Sequence, residues 1–111
     1  MSFRIVFVNS AEHDLKELKR YMVKNFGSDT WQVSYARIKD AVNTIRTFPL
    51  GGDVPEVLER LHLTQYRQVV AGKNRVIYEV RQDTIYIHIV CDTRKDLTSL
   101  LSRRLVRIVE I

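Results

Sequence analysis

The residues of this chain best suited to chemistry are arginines set at intervals along its last third. Arg67 and Arg75 fall in two consecutive strand patterns, and Arg81 opens the turn to a third. Arginine stays charged and presents a rigid fork of donors, so such a set can hold a phosphodiester or a carboxylate-bearing peptide. It can also stabilise charge that develops on phosphorus during RNA cleavage. Cleavage would further require a general base and acid. His88 and Tyr86 on the third strand, with Tyr78 on the second, are the candidates. Strict alternation places Tyr86 and His88 on one face of that strand and Ile85, Ile87 and Ile89 on the other.

Other chemistries lack their residues. His13, His62 and His88 lie far apart, and Cys91 has no Cys-x-x-Cys partner. His88 and Cys91, an odd number of residues apart, are expected on opposite strand faces, unable to share a metal. Gly51-Gly52 is a turn signal and not part of a phosphate loop, and no Gly-x-Ser-x-Gly elbow is present. Neither a metal nor a cofactor is expected.

The elements that must carry these residues can be read along the chain. Residues 3–9 alternate as a strand, and Ser10 stands as an N-cap to a helix with Ala11, Leu15, Leu18, Met22 and Phe26 on one stripe. Gly27 ends that helix, and Ser28 or Asp29 caps a second. Its apolar stripe is Trp31, Tyr35, Ile38, Val42 and Ile45, and Pro49 stops it. The turn-rich segment 49–56 leads through a short helical turn near Val57–Leu61 to three strands split by tight turns. A closing helix is expected from Thr93, with Asp96 completing a capping box. The order is β-α-α-β-β-β-α. Helices grouped before strands predict an α+β fold, a helical hairpin packed on one face of a small, mostly antiparallel sheet, as a single domain over 1–111.

Composition narrows the partners. The chain has 111 residues, 45% of them apolar and 28% charged, as in an ordinary globular domain. Eighteen Lys and Arg against thirteen Asp and Glu leave a charge of +5, which favours an anionic partner. One cysteine excludes an internal disulfide, no stretch is apolar enough to span a membrane, and a cytoplasmic location is expected.

The element order, the strand Asn74-Arg75-Val76-Ile77-Tyr78-Glu79-Val80, and Arg94-Lys95-Asp96-Leu97 followed by Arg103-Arg104-Leu105 resemble the RelE/ParE superfamily of toxin–antitoxin toxins. The resemblance implies one of two activities. RelE-like members cleave messenger RNA on the ribosome with basic residues on the sheet and a tyrosine in the closing helix. ParE-like members lack that set and inhibit DNA gyrase. Arg67 and Arg75 match basic positions of the nuclease branch, and Arg94 or Lys95 falls near a third. Leu101, with Leu100 beside it, stands where the helix tyrosine is expected.

The closing segment resembles the ParE pattern through Arg94, Asp96, Leu97, Arg104 and Leu105. The resemblance therefore implies a gyrase inhibitor, non-catalytic and silenced by a cognate antitoxin. Operator DNA would be reached through that antitoxin only. Arg94, Lys95, Arg103, Arg104 and Arg107 are the residues expected to face the target or the antitoxin. The alternatives are a RelE-type nuclease using Arg67, Arg75, Lys95, His88 and Tyr86, and a non-toxic member that only binds antitoxin.

Overall fold

The computed structural model describes residues 3–109, with burial and side-chain contacts for residues 3–104. Its elements run β1 (Arg4–Phe7), α1 (Asn9–Phe26), α2 (Ser28–Thr47), α3 (Glu56–Arg60), β2 (Tyr66–Ala71), β3 (Asn74–Arg81), β4 (Thr84–Asp92) and α4 (Leu97–Val109). The sheet order is β1-β4-β3-β2, with β1 parallel to β4 and the other pairs antiparallel. The α+β expectation holds, including the helical hairpin on one face.

That face is the larger core. Ala11 of α1 and Ile38, Val42 and Ile45 of α2 close over Val76, Tyr78, Ile85, Ile87 and Val90. Each such aliphatic side chain contributes roughly 1.5–3 kcal/mol by leaving water. The predicted stripes are not buried throughout: Phe26 at the end of α1 and Tyr35 within α2 are exposed, although Trp31 before it is buried. The predicted caps are also corrected. Val8 holds the extended pre-helical geometry and its carbonyl takes the amides of Ala11 and Glu12, so Ser10 sits inside the first turn. Gly27, at φ +91°, both ends α1 and starts α2. A single residue in this left-handed region turns the corner, and glycine adopts it without steric cost.

The opposite face carries a smaller core of Leu58, Tyr66, Ile77, Ile89 and Leu101, with Leu97 and Leu100 of α4 packed against it. The closing helix starts later than the sequence suggests. Asp92 accepts the Arg94 amide and its carbonyl accepts that of Lys95, which folds residues 92–95 into a turn. Asp96 then caps α4 itself, taking the Thr98 and Ser99 amides. Arg94 and Lys95 thus sit on the β4–α4 turn and not on the helix.

Candidate functional site

The chemistry-bearing residues are sorted by two features of the sheet, its hairpin parity and one bulge. Across the tight β2–β3 turn, Arg67 pairs with Tyr78 and Arg75 with Val70. Cross-strand partners share a face, and residues an odd number apart along a strand do not. Arg67 therefore lies with Tyr78 on the face of α1 and α2, and Arg75 on the face of α4. The expected cluster of strand arginines is not assembled.

Each arginine is also engaged in its own structure. Arg67 Nη1 donates to the carbonyls of Leu50 and Gly52. Beneath it the Tyr78 hydroxyl donates to Pro49 O at 2.8 Å and accepts the Gly52 amide at 3.0 Å. A Cβ at Gly52 would stand 2.5 Å from Gln68 O, so only glycine lets this loop close on the sheet. Burial pushes the Tyr78 hydroxyl above its usual range, although the Gly52 amide works the other way. Tyr78 is thus a buried anchor without access to a substrate.

The bulge lies in β4. Ile77 pairs with Ile89 while its neighbour Tyr78 pairs with Ile87, which leaves His88 as the extra residue. Such an insertion resets the alternation of everything that follows. Ile85 and Ile87 face the helical hairpin, whereas Ile89 and Cys91 face α4. The sequence reading of Ile85, Ile87 and Ile89 as one face is corrected by this single residue. His88 and Cys91 consequently come to the same side. Among the described residues no group of three or more His, Cys, Asp or Glu could hold a metal ion. Burial also pushes the Cys91 thiol up, so it remains protonated.

On the α4 face, the bulge directs His88 into a charged cluster. His88 Nε2 donates to Glu79 Oε1 at 2.9 Å, and Arg81 Nη2 lies 3.0 Å from the same oxygen. The Tyr66 ring meets His88 edge-on at 5.3 Å, and Arg81 stacks over Tyr86 at 4.9 Å. Burial raises the Glu79 pKa, but hydrogen bonds and charge from Arg81 and His88 outweigh it and hold the carboxyl below its usual range. Burial raises the Tyr66 hydroxyl, with the Glu79 charge adding to it. His88 is only 7% exposed, and its outward nitrogen is spent on Glu79. As arranged, Glu79, Arg81 and His88 hold one another; they do not present a free proton carrier.

Leu101 is 2% exposed and is part of the smaller core. Arg104 is half-buried and holds Asp14 through two hydrogen bonds at 3.1 and 3.2 Å, while donating to His88 O at 2.6 Å. Asp14 accepts the Val90 amide in turn. β1 covers β4 only as far as Ile87, so this ion pair seals the part of the β4 edge that no strand reaches. Sequence reasoning missed Asp14, and assigned Arg104 outward when it faces inward. Of the other expected contact residues, Lys95 and Arg103 are exposed, and Arg94 is exposed while bonded to Asp92 through both carboxylate oxygens. Arg107 lies outside the residues whose side chains are described.

Comparisons with known proteins place this arrangement. Residues 5–97 match the family model of the ParE toxin of type II toxin–antitoxin systems, parDE. No curated protein is similar enough in sequence to count as a relative. Among solved structures, the chain resembles the chromosomal ParDE toxin–antitoxin system of P. aeruginosa at TM-score 0.66 and 14% identity, over 82% of this chain and 96% of that one. It resembles the RelBE2 toxin–antitoxin complex of Mycobacterium tuberculosis at 0.58 and 19%, over 83% and 99%. A mutant of E. coli RelE in the free state superposes at 0.64 and 12%, over 97% and 99%. At these identities the structures establish the shared fold. No helix among the described residues is long and apolar enough to cross a membrane. With the family match spanning most of its length, the chain belongs to the ParE toxin family of type II toxin–antitoxin systems, within the RelE/ParE superfamily.

Proposed function

We propose that this toxin acts by binding DNA gyrase and does not catalyse a reaction. The observation that carries this reading is the separation of Arg67 and Arg75 onto opposite faces of the sheet. A phosphoryl-transfer site needs its cations converging on one phosphate, and these two cannot converge. The burial of Leu101, at the place where the nuclease branch keeps a tyrosine, supports the same reading. Purified toxin is expected to inhibit gyrase supercoiling and to leave ribosome-bound messenger intact. Unchanged supercoiling at stoichiometric excess of toxin would overturn it.

One observation favours the ribosome-dependent nuclease instead. The cluster of Glu79, Arg81, His88 and Tyr86 on the α4 face brings a carboxylate, an imidazole, a guanidinium and a phenol together. Lys95 and Arg75 lie toward the far end of the same face. Primer extension on translated messenger during induction would then reveal breaks within codons.

A cognate antitoxin belongs to either reading. Both the ParDE system and the RelBE2 complex are, by their descriptions, toxin–antitoxin assemblies. The exposed apolar side chains Phe48, Leu50 and Leu61 are of the kind an antitoxin segment covers. Operator DNA would be reached through that partner. A harmless phenotype on expression without antitoxin would instead mark a member that only binds its partner.

A further inference from the structure

The toxin carries a formal excess of five positive charges, and four of its cations stand where two turns meet. The β2–β3 turn at Gly72-Lys73 and the β4–α4 turn at 92–95 are tied side by side, with the Thr93 amide donating to Lys73 O at 2.9 Å. Arg75 Nη2 donates to Thr93 O at 3.4 Å, and its Nη1 to Gln68 Oε1 at 2.7 Å. Arg37 reaches the same place from α2. Its guanidinium and Cδ lie 3.1 and 3.2 Å from the position a Cβ on Gly72 would occupy. Gly72 has φ +64°, so glycine both makes this turn and leaves room for Arg37.

Arg37, Lys73, Arg75 and Lys95 are thus gathered at one pole. Among the described residues none of the four has a carboxylate within ion-pair distance, whereas Arg20, Arg60, Arg81, Arg94 and Arg104 each have one. Asp92, the acid nearest the pole, is taken by Arg94. The cations stand on hydrogen-bonded turns and do not depend on a flexible tail. Of the exposed large apolar side chains, Val70 alone pairs across the strands with Arg75, whereas Phe48 and Leu50 border Arg67 at the opposite end of the β2–β3 hairpin and Leu61 follows α3. A folded acidic segment needs apolar anchors as well as charge, whereas a phosphate backbone needs charge at fixed spacing.

We propose that this pole binds the phosphate backbone of double-stranded DNA directly, through Arg37, Lys73 and Lys95, with Arg75 bracing the turns. The contact deepens the gyrase reading, because gyrase works on bound duplex and a toxin docked there would grip enzyme and DNA together. It rests on that reading only for its setting in the cell. Binding to free duplex is measured without gyrase, so the two fail separately.

The experiment is fluorescence anisotropy of a labelled 24-base-pair duplex titrated with the full chain between 50 and 200 mM salt. Three engaged phosphates give a slope of log affinity against log salt of about −2.7, a weakening of about 40-fold over that range. The triple variant Arg37→Glu, Lys73→Glu, Lys95→Glu, checked for native circular dichroism, is expected to abolish most of that slope. A second triple variant, Lys16→Glu, Lys19→Glu, Arg60→Glu, changes net charge equally on exposed helical positions and is expected to retain it. Absence of binding at 50 mM salt overturns the proposal, and so does equal loss in both triples. Tighter capture of a poly-glutamate peptide than of duplex, lost in the first triple alone, would assign the pole to an acidic protein partner and overturn it too.

Discussion

On one side of the sheet, two long helices lay Ala11, Ile38, Val42 and Ile45 over the strands in a continuous apolar layer. On the other side, α3 and α4 lay Leu58 and Leu101 over Tyr66, Ile77 and Ile89, beside which lie Glu79, His88 and Arg75. The first face is closed chiefly by apolar burial, with Tyr78 and Arg67 hydrogen-bonded to the 49–52 loop. The second mixes a small apolar core with charges that must be satisfied by partners, and burying such groups costs free energy unless they are paired. The difference teaches how the two faces are held: tight packing fixes the helical hairpin, whereas the α4 face depends on pairing among its polar groups.

The contrast can be broken first by comparing equal truncations. Ile87→Ala on the hairpin face is expected to cost about 4 kcal/mol, near the upper part of the range for a site that cannot collapse. Leu101→Ala on the α4 face is expected to cost about 2 kcal/mol, because a terminal helix can settle into the gap. Urea unfolding of both variants measures this. Equal losses would mean that the two faces are equally committed to stability.

A second, smaller effect sharpens the polar side of the comparison. Glu79→Gln removes the charge that binds His88 and Arg81, and is expected to cost about 2 kcal/mol at neutral pH. The folded pKa of Glu79 lies below its unfolded value, so its contribution is complete above the ordinary glutamate pKa of about 4.3 and is lost as pH falls through the folded one. The gap between wild type and variant should therefore close in acid. A gap that stays constant down to pH 2 would show that shape, and not charge, holds the cluster.

The smallest effect concerns neither face and calibrates both. Gln82 holds φ +53° in the β3–β4 turn, where a side chain is strained. Gln82→Gly is expected to raise stability by up to about 1 kcal/mol, read by urea unfolding. A loss of stability would mean that the glutamine side chain makes a compensating contact.

Much of this was legible in the sequence. Period-3.6 stripes and alternating strands gave the elements, since burial on one side of a helix or strand leaves a repeating trace. Residues 92–96 hold two aspartates that each cap: Asp92 takes the Arg94 amide in a turn, and Asp96 takes the Thr98 and Ser99 amides where the helix starts. The opposition of Arg67 and Arg75 was legible in principle. A hairpin fixes face by parity, and the spacing 67, 70, 75, 78 contains the answer once the turn is placed. The bulge at His88 left no such trace, because an inserted residue among isoleucines looks like one more alternation. Asp14 was invisible for a different reason: its partners Val90 and Arg104 are distant in sequence, and one of them is a backbone amide.

The parallel pairing of β1 with β4 also imposes an order on synthesis. The strand Arg4–Phe7, made before the other three of its sheet, has its partner in Thr84–Ile87. Until that partner emerges, the edge of β1 has nothing to join, and the helical hairpin has only part of a sheet to cover. Such distant contacts carry the largest loop-closure entropy and form late. A nascent chain stalled before residue 84 therefore lacks the central strand β4, its bulge and the 92–95 turn that follows it. An interrupted message yields a fragment without a complete sheet for the helical hairpin to cover.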